Sequence, residues 1–194
     1  MPEPKTKRKP GRPRSAAARD NILSAAIALL ERGGVAAVTM EAIAKQAKVG
    51  KPTIYRYWQN AHEVMMTALM EAQPELPPRD GQGTILSQLN QHLRATIAIF
   101  ATPRGRNAAM LIAAADSQTE VSKAFRHHVI LKSRADGKAL LDQAKSLGEL
   151  PETFDTETAA DALYGPVFFR LLLGHKPLAP RFADDLMTTV LPTQ

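Results

Sequence analysis

The chain has 194 residues, 44% of them hydrophobic, with a net charge of +6 and no cysteine. That is enough apolar sequence for one large or two small domains with a real core, and it excludes a disulfide framework, a cysteine-ligated metal and a thiol nucleophile. The charge is uneven: residues 1–60 hold twelve Lys and Arg against four Asp and Glu, and residues 61–194 hold thirteen against fifteen. One end is therefore built to meet an anion, either a phosphate backbone or an anionic membrane surface.

Residues 1–14, MPEPKTKRKPGRPR, are basic, proline-rich and almost without apolar side chains, so burial cannot offset the entropy of ordering them, and a disordered arm is expected. Residues 15–72 read as four short helices. The first takes Ser15 as its cap, presents Ile22, Ala25, Ala26, Leu29 and Leu30 as one stripe, and stops at Gly33 and Gly34. Basic residues ahead of ILSAAIALL resemble a signal peptide only superficially. Asp20 interrupts, the run is amphipathic, and no convincing cleavage site follows. The longest unbroken apolar run, Ala108 to Ala115, is far short of the ~20 residues of a membrane helix. The expectation is a soluble protein of a bacterial-type cytoplasm.

Thr39 caps a second helix, with Glu41 near its positive end and Ile43, Ala44 and Ala47 facing inward. After KVG a third helix begins, with Pro52 in the first turn, where a missing amide costs nothing. The stretch KVGKPTIYRYWQN, residues 48–60, gathers Lys51, Tyr55, Arg56, Tyr57 and Trp58 in a chain with only 5% aromatics. Asn60 and Glu63 form a capping box for the fourth helix, whose Val64, Ala68 and Leu69 look inward. A short helix, a tight turn and another short helix make helix-turn-helix geometry. Residues 73–83, QPELPPRDGQG, break the pattern and mark a hinge.

The second zone, residues 83–194, continues in longer helices, with no alternating strand pattern. Leu86, Leu89, Leu93, Ile97 and Phe100 form a helical stripe, and NAAMLIAAAD, 107–116, is apolar all round and predicts an interior helix. Residues 117–150 give one long or two joined helices. Their adjacent His127 and His128 point about 100° apart and cannot share a metal, and His62, His92 and His175 add no ligand-spaced cluster. No metal site and no cofactor are predicted. Asp155 or Thr156 caps the segment 155–178, where Gly165 and Pro166 predict a kink, and a last helix carries Phe182, Leu186 and Val190 on one face. No nucleophile and base, carboxylate pair or metal cluster stands out, so an enzyme is not expected.

Residues 17–70, above all VTMEAIAKQAKVGKPTIYRYWQNAHEV, resemble the N-terminal DNA-binding domain of the tetracycline-repressor (TetR) family of bacterial transcriptional regulators. The likeness rests on the Thr39 cap, AIA at 42–44, Ala47, Val49, PTIYRYW at 52–58 and an acidic-then-apolar start to the next helix, a joint pattern over about fifty residues. It implies an all-α fold: a three-helix helix-turn-helix DNA-binding domain, and a larger helical domain for ligand binding and dimerisation. It also implies that Ile54 and Trp58 face the core. Lys51 and Arg56 then donate to guanine edges, and Pro52 or Thr53 touches a thymine methyl. Tyr55 and Tyr57, with Thr39, donate to phosphate. Tyr57 has an alternative, its ring inside and its hydroxyl in water.

This sequence departs from the family pattern in two places. Lys48 stands where glycine is common, leaving Gly50 to take up the bend. Ala61 stands where a lysine often meets phosphate, leaving the basic arm or His62 to substitute. In the arm, KRKPGRPR resembles an AT-hook whose Arg12 and Arg14 lie in a narrow minor groove, although Pro10 stands where arginine is usual. The other reading of the arm is a solvated tail that adds salt-sensitive, non-specific affinity.

YGPVFFRLLLGHKPL, residues 164–178, is similar to the C-terminal region of a subset of the family, in which the last two helices of each subunit form a four-helix interface. The resemblance assigns Leu163, Val167, Leu171, Phe182, Leu186 and Val190 to a homodimer interface, with intrachain core as the competing assignment. It also implies a pocket among Phe100, Met110, Phe125, Tyr164, Phe168 and Phe169 for an unidentified small-molecule effector, with Arg170 or His128 as polar contacts. The implied function is a dimeric repressor on a palindromic double-stranded DNA operator, released by its ligand, with no membrane partner. The alternative is an architectural DNA-binding protein that ignores sequence.

Overall fold

The computed structural model describes residues 14–72, 83–114 and 118–192. Every regular element among them is helical, and the chain divides into two compact units between Ala68 and Leu69.

The first unit is formed by α1 (Arg14–Gly33), a single 3-10 turn (Val35–Ala37), α2 (Met40–Ala47), α3 (Lys51–Tyr55) and the larger part of α4 (Ala61–Glu71). Helix α1 starts at Arg14, so Ser15 lies inside it rather than capping it. It ends as its glycines predict, with Gly34 at φ 66°. Ile22, Leu23, Ala25, Ala26 and Leu30 of α1 meet Ile43, Ala44 and Ala47 of α2, Ile54 and Trp58, and Val64, Met65, Met66 and Ala68 of α4 in the core. Fully burying one such large side chain is worth about 1.5–3 kcal/mol. Asn60 caps α4 as predicted, its Oδ1 accepting from Glu63 N–H at 3.0 Å, while the Glu63 carboxylate accepts at 2.8 Å from Gln59 N–H, one residue ahead of the amide that a strict capping box would use.

The second unit holds α5 (Ile85–Phe100), α6 (Pro103–Ala114), α7 (Glu120–Arg126), α8 (Lys132–Ser146), α9 (Thr156–Leu173) and α10 (Phe182–Val190). One π-helical turn, His127–Leu131, joins α7 to α8. The Glu149 carboxylate, from beyond α8, accepts from Ile85 N–H at 2.8 Å and Leu86 N–H at 3.0 Å, so it closes the N-terminus of α5 across 64 residues of chain. On α10, Asp184 accepts from Asn90 Nδ2 at 2.9 Å and pairs with Arg94, both on α5. These partners hold its carboxyl below the usual range, Asn90 first and Arg94 second.

One expectation changes here. Helix α6 is not interior on all sides: Ala108, Ala109 and Leu111 are buried, whereas Met110 is 59% exposed and Ala113 and Ala114 face outward. Its alanine-rich sequence carries too little contrast to show which side is wet. Helix α9, capped by Asp155 as expected, runs on through Gly165 and Pro166 to Leu173.

Candidate DNA-binding surface and effector cavity

The turn between α2 and α3 is set by Lys48. It takes the left-handed conformation at φ 55°, ψ 43°, and the amides of Lys48 and Val49 both return to the Ala44 carbonyl. Gly50 does not make the bend; at φ −73°, ψ 144° it is an extended residue capping α3. Thr39 caps α2 as predicted, its Oγ1 accepting from Ala42 N–H at 3.1 Å.

Regular helix α3 stops at Tyr55, and Arg56 and Tyr57 prolong it as turns, with Trp58 N–H still bonding Ile54 O at 3.1 Å. Ile54 and Trp58, four apart, are buried. Trp58 Nε1 donates to Thr67 Oγ1 at 2.9 Å, and that hydroxyl donates to Glu63 O at 2.8 Å, so the indole is tied to α4. Everything opposite those two anchors faces out. Lys51, Pro52 and Arg56 are exposed, Tyr55 is 54% and Tyr57 40% exposed, and Thr53 is half-buried. The Arg56 guanidinium lies 5.3 Å from the Tyr57 ring centre, and the Tyr57 ring lies 5.4 Å from that of Trp58, so Tyr57 lies between a cation and the core.

Sequence reasoning missed one partner on this surface. Lys51 Nζ donates to Glu41 Oε1, joining the first turns of α2 and α3. This bond, the largest cause in each case, holds the Glu41 carboxyl below its ordinary value and the Lys51 ammonium above its own. Ten residues and a turn separate the two, beyond any local spacing rule. The arm residues 1–13, with Arg12, lie outside the described residues, and of Arg14 only the backbone, opening α1, is described.

Within the second unit a cavity of about 420 Å³ is lined by Leu69, Ala98, Ile99, Phe100, Thr102, Arg104, Gly105, Ala108 and Val129. Of the six aromatic and Met positions expected around a pocket, Phe100 lines it, and Phe168 meets Phe100 edge-on at 5.0 Å. Met110 and Phe169 are exposed, the latter against His175 at 5.3 Å. Phe125 and Tyr164 are wholly buried. The Tyr164 hydroxyl shares a 2.6 Å hydrogen bond with His92 Nδ1, and burial, with a smaller effect of Asp136, pushes its pKa up. His128 is exposed on the π-helical turn, and the Arg170 guanidinium sits 3.3 Å over the Phe182 ring. The lining residues Ala98, Ile99 and Arg104 gave no sequence signal beyond an isolated PRGR at 103–106, because a cavity is defined by what neighbouring helices leave unfilled.

Of the six positions assigned to a dimer interface, Leu163, Val167, Leu171, Phe182 and Leu186 are buried within the single chain and Val190 is half-buried. The apolar residues that α9 turns outward are Phe169, Leu172 and Leu173, at 58, 54 and 61% exposure. Among the described residues no helix is long and apolar enough to cross a membrane.

Comparison with known proteins matches both halves of the chain. Residues 22–64 fit the family model described as bacterial regulatory proteins, tetR family, and residues 79–190 fit the tetracyclin repressor-like C-terminal domain. The HTH-type transcriptional regulator YdeS of Bacillus subtilis is 34% identical over 180 residues, 92% of this chain and 90% of the relative. An HTH-type regulator of Mycobacterium tuberculosis, Rv1556, is 25% identical over 88% of this chain and 84% of its own. Among solved structures, the TetR family transcription regulator SCO0332 superposes with a TM-score of 0.66 at 28% identity, covering 89% of this chain and 95% of that one. A buried Ile54–Trp58 anchor beneath an exposed basic and aromatic surface, in a chain whose residues 22–64 and 79–190 both fit the family's domains, identifies the chain as a DNA-binding transcriptional regulator of the tetracycline-repressor family, a family of regulators rather than enzymes.

Proposed function

We propose that the chain acts as a homodimeric repressor, binding a palindromic operator through paired α3 helices and leaving it when a small molecule enters the cavity of the second unit. The observation that carries the DNA half is the outward set Lys51, Pro52, Tyr55, Arg56 and Tyr57, held rigid by Ile54 and Trp58. Lys51 and Arg56 supply donors for guanine edges, Pro52 and Thr53 apolar contact for a thymine methyl, and Thr39, Tyr55 and Tyr57 hydroxyls for phosphate. Arg12 and Arg14 add a basic arm for the minor groove. The two recognition helices of a dimer must then meet half-sites about 34 Å apart. An effector acts by favouring one of two subunit arrangements, since a ligand that binds both equally shifts nothing.

The test is fluorescence anisotropy on the DNA upstream of the chain's own gene and on a shuffled copy, for wild type and Tyr55→Ala across a salt series. The proposal expects tight binding of the native fragment only, weakened by the substitution. Equal affinity for both DNAs, indifferent to Tyr55 and steeply salt-dependent, would mean either an operator elsewhere or, in place of the proposal, an architectural binder driven by the arm.

A further inference from the structure

The cavity of the second unit is walled by Leu69, Ala98, Ile99, Phe100, Ala108 and Val129, and the polar groups beside that wall are engaged with the chain itself. The Thr102 hydroxyl donates its one proton to the Ile99 carbonyl at 2.7 Å and accepts from the Gly105 amide at 3.1 Å. The Thr102 carbonyl accepts from the Arg106 amide at 3.1 Å. Arg104 Nη1 donates to the Ala72 carbonyl at 3.2 Å, and Arg106 Nη1 to the Ala101 carbonyl at 2.7 Å. The turn from α5 to α6 thus closes on itself, and the donors that would orient a polar ligand are spent within it. No carboxylate stands in the lining. The volume, about 420 Å³, falls in the range of small-molecule sites. Water in so apolar a space finds few partners, so a hydrocarbon surface that displaces it gains affinity. An ionised group placed there loses its hydration and receives nothing in return.

We infer that this cavity takes an uncharged, apolar small molecule, selected by the cost of desolvating anything else rather than by an ion pair or a hydrogen bond. This rests on the cavity being the effector site, and adds the chemistry of its ligand. The wall is also formed in advance. Gly105 lets the first turn of α6 lie on the end of α5, where a Cβ would stand 2.6 Å from the Ile99 carbonyl oxygen, and Phe168 braces Phe100 edge-on at 5.0 Å. A ligand entering a preformed wall has little ordering to offset, so apolar contact alone can hold it. Val129 reaches the wall from the π-helical turn at His127–Leu131, an irregularity that recurs at functional sites.

The experiment is a fluorescence titration of the full chain, without DNA, with two probes that share one ring skeleton: N-phenylnaphthylamine, uncharged at neutral pH, and its sulfonated counterpart anilinonaphthalenesulfonate. The uncharged probe is expected to bind about tenfold or more tightly, because the sulfonate sits on the ring body and must be desolvated with it. Two variants assign the uptake to the cavity. Ala98→Phe, at an exposed position of the lining, narrows the space without touching the core, and Ile99→Lys, at a half-buried one, brings in a cation with no acidic partner in the lining. Both are expected to weaken the uncharged probe, and Ile99→Lys to strengthen the sulfonate. Leu172→Glu, on the outward strip of α9, leaves both titrations as in wild type. The sulfonate binding as tightly as the uncharged probe, uptake that survives both cavity variants or is lost with Leu172→Glu, or no uptake of the uncharged probe each overturns the inference. Because no DNA is present, failure here is distinct from failure of the regulator reading, which the anisotropy series decides separately.

Discussion

Lys48 holds a left-handed backbone with a full side chain, the one non-glycine residue among those described to do so. That conformation costs an L residue about 1–2 kcal/mol, against roughly 0.5–1 kcal/mol for the extra freedom glycine loses on folding. Lys48→Gly is therefore expected to stabilise the protein by about 0.5–1 kcal/mol, read as a higher denaturation midpoint with an unchanged slope. A destabilised variant would mean that the Lys48 side chain has a role the backbone does not explain. Three residues on, Glu41 holds Lys51. Both are exposed, so the pair adds little to stability, but it keeps one cation occupied and one carboxylate on the face proposed to approach phosphate. Glu41→Gln is expected to tighten binding to shuffled DNA and to steepen its salt dependence, by about 0.9 in the log–log slope for each phosphate Lys51 gains. Glu41 titrates below its unfolded value, so the pair is complete above the ordinary carboxylate range and is lost as pH falls through the lowered one. The wild-type and Glu41→Gln salt slopes are accordingly expected to converge under acid conditions.

At the scale of elements, two close approaches set helix packing. A Cβ on Gly137 of α8 would stand 2.1 Å from the Tyr164 hydroxyl and 2.4 Å from its Cε2, so the ring of α9 lies directly on the α8 backbone. Helix propensity alone favours Gly137→Ala by about 1 kcal/mol. Overpacking of a fully buried ring costs about 1–3 kcal/mol and wins, so the variant is expected to be less stable in chemical denaturation despite the better helix former. Gly105 repeats the constraint, where a Cβ would lie 2.5 Å from Phe100 Cα and bring backbone against backbone. Neither requirement is legible in the sequence, because the partner atoms come from another helix or across a turn. Helices announced by their own side chains read correctly: Thr39 caps α2, Asn60 with Glu63 caps α4, and Asp155 caps α9. The Lys51–Glu41 pair, the Arg104 cavity and the outer side of α6 depend on tertiary neighbours that periodicity does not encode. Sequence alone leaves the α7–α8 stretch as one long or two joined helices, and the chain takes the second form, with a π-helical turn at His127–Leu131 between them.

For the whole molecule the unresolved division lies along α9, whose sequence is apolar on nearly every side, so that core and interface could not be separated by pattern. The fold makes that division. Leu163, Val167 and Leu171 face inward, while Phe169, Leu172 and Leu173 face out beside Gly165, which has open space where a Cβ would stand. An outward apolar strip of this kind marks an association surface, and a second copy of the chain is the occupant proposed here, since an isologous interface needs one self-complementary patch. The two sides of α9 then respond differently to substitution. Leu163→Ala empties a fully buried site and is expected to cost about 2–5 kcal/mol of stability whatever the oligomeric state. Leu172→Glu removes nothing from the core, so its secondary structure should match wild type while sedimentation velocity shows a monomer. Its affinity for the native fragment should fall steeply, because two tethered half-site contacts become two independent ones. A Leu172→Glu protein that still sediments as a dimer would move the interface off this strip, and a monomer with undiminished DNA affinity would remove the palindrome from the proposed mechanism.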